Sequence, residues 1–204
     1  ERYQVTVVDF VPSMLSVFVS MSGECLKKVK GLKYVLAAGE ALNAELVRSF
    51  YQTMRKQGSK CMLGNIYGPT EASVYATYYN LEENHEGEVV PIGKPISNTQ
   101  AYILNGNDLC GIGVPGELCI AGDGLARGYL NRPELTEEKF IKNPYGEGRL
   151  YRTGDLVRWM PDGNIEYLGR IDEQVKIRGF RIELGEIESR IREIEKIKDC
   201  AVIA

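Results

Sequence analysis

Apolar runs and polar, glycine-punctuated breaks alternate along the chain, and the spacing of the apolar residues changes twice. In the first part, unbroken apolar runs at Val5 to Phe10, Tyr34 to Ala38 and Lys60 to Tyr67 predict buried strands. Helical spacing lies between them. Pro12 suits the first turn of a helix from Ser13 to Met21. Asn43 reads as the N-cap of a helix reaching about Arg55, with Leu46, Val47 and Phe50 on one face. Alternating strands and helices predict a parallel α/β sheet, in which ligands gather at the carboxyl ends of the strands. Ala38-Gly39-Glu40 and the stretch from Asn65 to Glu71 fall at two such ends.

Past about residue 90 the pattern shortens. Apolar runs at Ala101 to Leu104, Glu117 to Ala121, Leu156 to Trp159 and Ile165 to Leu168 are separated by Gly, Pro, Asn and Asp clusters. Asp162-Gly163 followed by Asn164 is a hairpin signal. An antiparallel sheet or small barrel is expected. The pattern changes again after Arg170. Gln174, Lys176 and Arg178 alternate with Val175 and Ile177, a strand with one charged face. Gly179 interrupts it, Phe180 to Ile182 resume it, and a helix is predicted from Leu184 to Ile194 with Leu184, Ile187, Ile191 and Ile194 as its apolar stripe. The expected organisation is an α/β part over 1–90, an antiparallel β part over 91–171, and the start of a small α+β domain over 172–204. Cys200 to Ala204 reads as a further strand. Both ends look cut, so the chain is expected to be a fragment.

Composition narrows the function classes. Apolar and charged fractions of 44% and 26% are those of an ordinary globular protein. A net charge of −3 argues against a general nucleic-acid or membrane-surface role. The five cysteines include no C-x-x-C pair, and they read as reduced, mostly buried residues of a cytoplasmic protein rather than a zinc site or disulfide frame. Glu1 to Gln4 lack the layout of a signal peptide. The single histidine, His85, sits in an acidic loop, a poor place for the base of a Ser-His-Asp hydrolase.

Three strings could carry chemistry. In Asn65-Ile66-Tyr67-Gly68-Pro69-Thr70-Glu71 a forced turn follows a strand, so backbone amides and the Thr70 hydroxyl could converge on an anion. Glu71 could hold a magnesium ion, and Tyr67 offers a face for a base; the alternative is a strand-end turn with a core tyrosine. The glycines of Gly116 to Leu130 match neither phosphate-binding spacing and read as strand and turn structure. In Tyr151-Arg152-Thr153-Gly154-Asp155-Leu156, the aspartate could accept from two vicinal hydroxyls of a ribose, or cap its own turn.

Together with Gly169 to Glu188, these strings resemble the amino-acid adenylation domains of nonribosomal peptide synthetases, members of the adenylate-forming enzymes. The resemblance covers nearly the whole chain. It implies that Tyr67 stacks on adenine, that Thr70 contacts the α-phosphate, that Glu71 binds Mg²⁺, and that Asp155 binds the ribose. Gly39, Glu40, Asn65 and Gly68 would complete the ATP site. Tyr167 would touch the nucleotide, Arg170 would lie near ribose and phosphate, and Asp172 would be the hinge of the small domain. Lys176 matches a lysine of the thiol-acylating conformation, or is a solvated strand lysine. The catalytic roles would thus fall to Thr70, Glu71, Arg170 and Lys176.

The resemblance further implies formation of an aminoacyl-AMP from an amino acid and MgATP, then transfer to the phosphopantetheine of a peptidyl carrier domain among neighbouring synthetase domains. In-line attack on phosphorus asks for positioning and charge neutralisation more than for a nucleophile on the protein. The family's phosphate loop and its small-domain lysine are expected outside this chain, so the fragment alone is expected to be inactive. Asp9, Leu36, Ala38, Ile66, Val74 and Tyr75 would line the aminoacyl pocket. Asp9, at the end of a strand read as buried, would meet a basic or amide side chain, or else be satisfied by backbone or water. An acyl-CoA or aryl-acid ligase of the same superfamily and a degenerate scaffold domain are the alternatives.

Overall fold

The computed structural model describes residues 4–21, 31–194, 197 and 199–203. Five strands form the first sheet. β1 (Val7–Phe10), β2 (Tyr34–Ala38) and β3 (Met62–Tyr67) run parallel, in register Asp9–Leu36–Gly64. β4 (Thr77–Leu81) and the short β5 (Lys94–Pro95) then add antiparallel, giving a mixed sheet in the order β1-β2-β3-β4-β5. The apolar pattern does not mark β4 as a strand, and the first sheet takes in residues beyond 90.

Two helices cover one face of this sheet, α1 (Pro12–Ser20) and α2 (Ala44–Lys56). The Asn43 side chain caps α2 as expected, accepting from the Leu46 amide at 2.8 Å. Leu15, Phe50, Val35 and Leu63 are fully buried between helices and sheet, each contributing roughly 1.5–3 kcal/mol. The opposite face carries Asp9, Leu36, Ala38, Gly64 and Ile66, because registered neighbours and alternate residues share a side. β1 is not the buried strand that its apolar run suggests. It is the edge of the described sheet, with Val5 and Val7 half exposed.

The second sheet is antiparallel throughout: β6 (Thr99–Asn105), β7 (Asp108–Leu109), β8 (Gly116–Gly122), β9 (Phe140–Lys142), β10 (Arg149–Trp159) and β11 (Ile165–Arg170). Its order is β11-β10-β8-β6-β7, with β9 on β10 at the end that β11 leaves free. Among the described residues it is an open sheet, not a barrel. A short helix α3 (Pro133–Lys139), unforeseen in the sequence, leads into β9. The Asp162-Gly163 turn joins β10 to β11 as predicted, Gly163 adopting φ +79°. The two sheets meet where Ile92 and Gly93 pair with Ile165, through hydrogen bonds of 2.8 and 2.9 Å.

After Arg170 the chain forms a separate hairpin, β12 (Val175–Ile177) and β13 (Phe180–Ile182), and then helix α4 (Leu184–Arg192). Lys176 stands directly opposite Arg181 across the hairpin. α4 ends short of Ile194, and of its stripe only Leu184 is buried. Cys200 to Ile203 join no strand among the described residues, contrary to expectation, and Ala204, like Cys25 and Glu1 to Tyr3, lies outside them.

Candidate active site

The carboxyl ends of β2 and β3, the middle of β10, the end of β11 and the β12–β13 hairpin converge on two adjoining cavities. One, of about 260 Å³, is lined by Gly39, Glu40, Asn65, Tyr67, Tyr167 and Lys176 among others. The other, of about 500 Å³, is lined by Thr70, Asp155, Arg170 and Lys176 together with Asp9, Ala38, Val74 and Tyr75. Ile66 faces the first cavity. Leu36 shares its sheet face, beside Gly64, but lines neither.

A bulge places Asp155. The β8–β10 register shifts between Arg152 and Leu156, so Thr153 to Asp155 leave the regular ladder. Arg152 and the Gly154 amide both bind Glu117, and the Thr153 hydroxyl donates to the Leu118 carbonyl at 2.7 Å. Gly154 holds φ +72°, a conformation that favours glycine, and a Cβ there would press on the end of the Arg170 side chain at 2.8 Å. Asp155 is 2% exposed. Its two oxygens accept from the Tyr67 hydroxyl and from Arg170 Nη1, the latter at 3.0 Å. A carboxylate oxygen has two lone pairs, so each retains capacity for one further donor.

Arg170 ties this carboxylate to Asp172. Its Nη1 also donates to the Thr153 carbonyl at 2.8 Å, while Nε and Nη2 grip both oxygens of Asp172. Burial alone would depress the guanidinium, but the bonded carboxylates of Asp172 and Asp155 more than offset it and raise it. Asp172 shows the converse: burial would raise it, and Arg170 holds it below the ordinary carboxylate value. Burial, reinforced by Asp155, pushes the Tyr67 hydroxyl well up and Tyr167 up to about 12, so both are neutral donors.

The β3 end is built by close approach. A Cβ on Gly68 would lie 2.4 Å from the Val74 carbonyl oxygen and 2.8 Å from the Ala76 nitrogen. That crossing brings Thr70 and Glu71, in a short 3₁₀ turn (Thr70–Ala72), under the strand. Glu71 is 6% exposed. Its Oε1 accepts from Tyr129 and from Arg181 Nη1, each at 2.7 Å, whereas Oε2 is buried without a partner. Burial would raise the Glu71 carboxyl; the bond from Tyr129 and the Arg181 charge lower it instead. Glu71 opens onto a third cavity of about 680 Å³, shared with Thr70, Lys139 and Arg181. An unpartnered oxygen on a buried, ionised carboxylate suits a hard divalent cation such as Mg²⁺.

Sequence reasoning missed Tyr129 and Arg181. Tyr129 lies in the glycine-rich string that reads as structural, and that string braces the turn: the Ala126 amide donates to the Glu71 carbonyl at 2.8 Å, and Ser73 to the Gly124 carbonyl at 2.7 Å. Two residues expected at the ATP site also bond within the protein. Asn65 spends its amide on the Pro91 carbonyl at 2.8 Å, and Glu40 accepts from Ser13 and from the Gly179 amide at 2.9 Å. Asp9 is not a buried, unpaired carboxylate; it is exposed on the edge strand and accepts from the Tyr75 hydroxyl. Neighbouring Val74 sits at φ +76°, with the Tyr75 amide bonded to the Ser73 carbonyl at 2.9 Å, a strained three-residue turn for a β-branched residue.

The arrangement brings together a buried carboxylate with spare acceptor capacity, a hydroxyl next to a second buried carboxylate, and tyrosine rings beside a strand-end cavity. The chain belongs to the AMP-binding enzyme family, whose model matches residues 1–130. It is 53% identical over its full length to a component of the mycosubtilin synthase of Bacillus subtilis, and 52% to a component of the linear gramicidin synthase of Brevibacillus parabrevis. It covers only 8% and 4% of those two relatives. Its fold matches PA1221, an NRPS protein containing adenylation and PCP domains, with a TM-score of 0.86 and 30% identity, over 99% of this chain and 40% of that one.

Proposed function

We propose that this chain forms part of an amino-acid-activating enzyme that makes an aminoacyl-AMP and passes the acyl group to a phosphopantetheine carrier domain. The observation that carries the reading is the buried Glu71 carboxylate, with one oxygen unpartnered, on a cavity shared with Thr70, which also lines the cavity of Asp155. In this reading the adenine lies between Gly39 and the Tyr67 and Tyr167 rings, and the ribose hydroxyls donate to the lone pairs left on Asp155. Thr70 donates to the α-phosphate. Mg²⁺ at Glu71 would offset charge on the phosphates. The amino-acid carboxylate attacks the α-phosphorus, the bond to the oxygen bridging to the β-phosphate breaks, and diphosphate leaves. The carrier thiol, losing its proton, then attacks the acyl carbon and AMP departs.

The protein's part is positioning and neutralisation. Arg170 sets its charge 3.0 Å from Asp155, and Lys176 reaches the same cavity, its ammonium 5.8 Å from the Tyr67 ring centroid. Desolvation lowers that ammonium, and Asp155 partly restores it. On the substrate side, Asp9, Ala38, Val74 and Tyr75 form the wall. Asp9 already accepts from Tyr75, and its remaining acceptor capacity suits a side chain that donates a hydrogen bond. The structural neighbour PA1221 contains adenylation and PCP domains, which supports a multidomain synthetase as the setting; a cytoplasmic location is proposed with it.

The test is amino-acid-dependent ATP–pyrophosphate exchange by the full-length protein that carries this chain. Exchange with one amino acid or a narrow set is expected. Nucleotide binding without exchange for any amino acid would overturn the reading.

A further inference from the structure

Helix α1 begins without a cap of its own. Its N-cap residue is Val11, which offers no side-chain acceptor, and no acidic residue stands in its first turn. Of the first-turn residues, Pro12 has no amide hydrogen, and the Met14 and Leu15 amides both donate to the Val11 carbonyl at 2.9 Å. Ser13 is left over. Its amide donates to Glu40 Oε2 at 2.9 Å and its hydroxyl to Oε1 at 3.2 Å. A residue 27 positions away thus takes the place of the missing cap, and its carboxylate complements the positive end of the helix.

The cap matters because of where α1 starts. Asp9, Val11 and Met14 line the second cavity, whereas Gly39 and Glu40 line the first. The two segments touch: a Cβ on Gly39 would meet Val11 Cγ1 at 3.4 Å. Little else fixes the start of α1, since only Pro12 and Leu15 of its residues are buried, and Met14 and Val17 are 58% and 65% exposed. We infer that Glu40 is a positioning residue for the amino-acid subsite and not a nucleotide ligand. By capping α1 from the β2–α2 connection, it ties the wall made by Asp9, Val11 and Met14 to the Gly39 wall of the adenine cavity. This inference rests on the proposed assignment of the second cavity to the amino acid. Oε1 also accepts from the Gly179 amide at 2.9 Å, so the test must separate the placing of α1 from a role at Gly179.

The experiment compares wild type, Glu40→Ala, Glu40→Gln, Val11→Thr and the double variant Glu40→Ala/Val11→Thr in the full-length protein. The substrate is the amino acid that gives the fastest ATP–pyrophosphate exchange in wild type. Glu40→Ala should raise KM for the amino acid about fivefold and KM for ATP less than about twofold. Glu40→Gln keeps an acceptor but loses the charge, and should fall between wild type and Glu40→Ala. Threonine has nearly the shape of valine and brings a cap hydroxyl, so the double variant should return to within about twofold of Val11→Thr alone. In protein without ligands, α1 amides should exchange about fivefold faster in Glu40→Ala, with α2 unchanged. Unchanged α1 exchange, an equal rise in both KM values, or no recovery in the double variant would overturn the inference. A defect confined to transfer onto the carrier domain would also overturn it, assigning Glu40 to Gly179 instead. Each of those results leaves the adenylating reading intact, because pyrophosphate exchange persists. No exchange in wild type with any amino acid would overturn both.

Discussion

Replacing Tyr67 with phenylalanine isolates one hydrogen bond at the centre of the site. The hydroxyl donates to a carboxylate that is 2% exposed, and the tyrosine itself is 7% exposed, so the substitution leaves packing intact and strips one donor from Asp155. A hydrogen bond to a charged group contributes about 1.5–3 kcal/mol. Asp155 keeps Arg170 at 3.0 Å and borders a cavity of about 500 Å³, from which water can reach the vacated oxygen. The loss should therefore fall at the low end, about 1.5 kcal/mol, or roughly tenfold in the local opening equilibrium. In a protein of several domains no single unfolding midpoint reports this, so site-resolved hydrogen exchange is the suitable assay. Amides of β3 and β10 should exchange about tenfold faster in Tyr67→Phe without nucleotide. Addition of AMP should recover much of the difference, because a ribose hydroxyl takes the vacated lone pair. Unchanged exchange in both strands would refute the claim that Tyr67 holds Asp155.

Three other outcomes follow from named contacts. Gly68→Ala should cost about 1–3 kcal/mol and lower nucleotide affinity, since the obstructing atoms are backbone and cannot rotate away; thermal shift and AMP titration measure both. Val74→Gly should raise thermal stability slightly, relief of about 1–3 kcal/mol of backbone strain outweighing the entropy cost of glycine, because the Val74 side chain is largely exposed; a lower midpoint would show that the turn is unstrained. Asp172 and Glu71 are both depressed below their ordinary carboxylate values, so the stability they confer is complete above about pH 5 and is lost as pH falls through the lower, folded-state values. Exchange across 172–183, corrected for intrinsic rate, should rise below about pH 4 and be flat from about pH 5 to 7; a rise centred near neutrality would contradict the assignment.

Much of this architecture is legible in the sequence because local and tertiary signals agree. The helix capped by Asn43, the Asp162-Gly163 turn and the β12–β13 alternation each show a residue type demanded by local geometry. The motif strings foretell where Thr70, Glu71, Asp155 and Arg170 gather. Partners at long range are not legible. Tyr129 meets Glu71 across 58 positions and Arg181 meets it across 110, and nothing in the local pattern of either string marks them. The apolar run of β1 misleads because it shows hydrophobicity but not which neighbours are present, and the expectation of a buried Asp9 falls with it. Gly154 and Asp155 look like a turn dividing two short pieces; they are a bulge inside one long strand, β10.

The most direct measurement is the fate of α-labelled ATP in a single turnover by the full-length protein, with a panel of amino acids. The expected result is label in AMP or an aminoacyl-adenylate, dependent on the amino acid, with diphosphate released, and greatly slowed in Glu71→Gln. Label in ADP with release of orthophosphate, or cleavage indifferent to amino acids and to Glu71, would contradict an adenylate-forming site built on Thr70, Glu71 and Asp155.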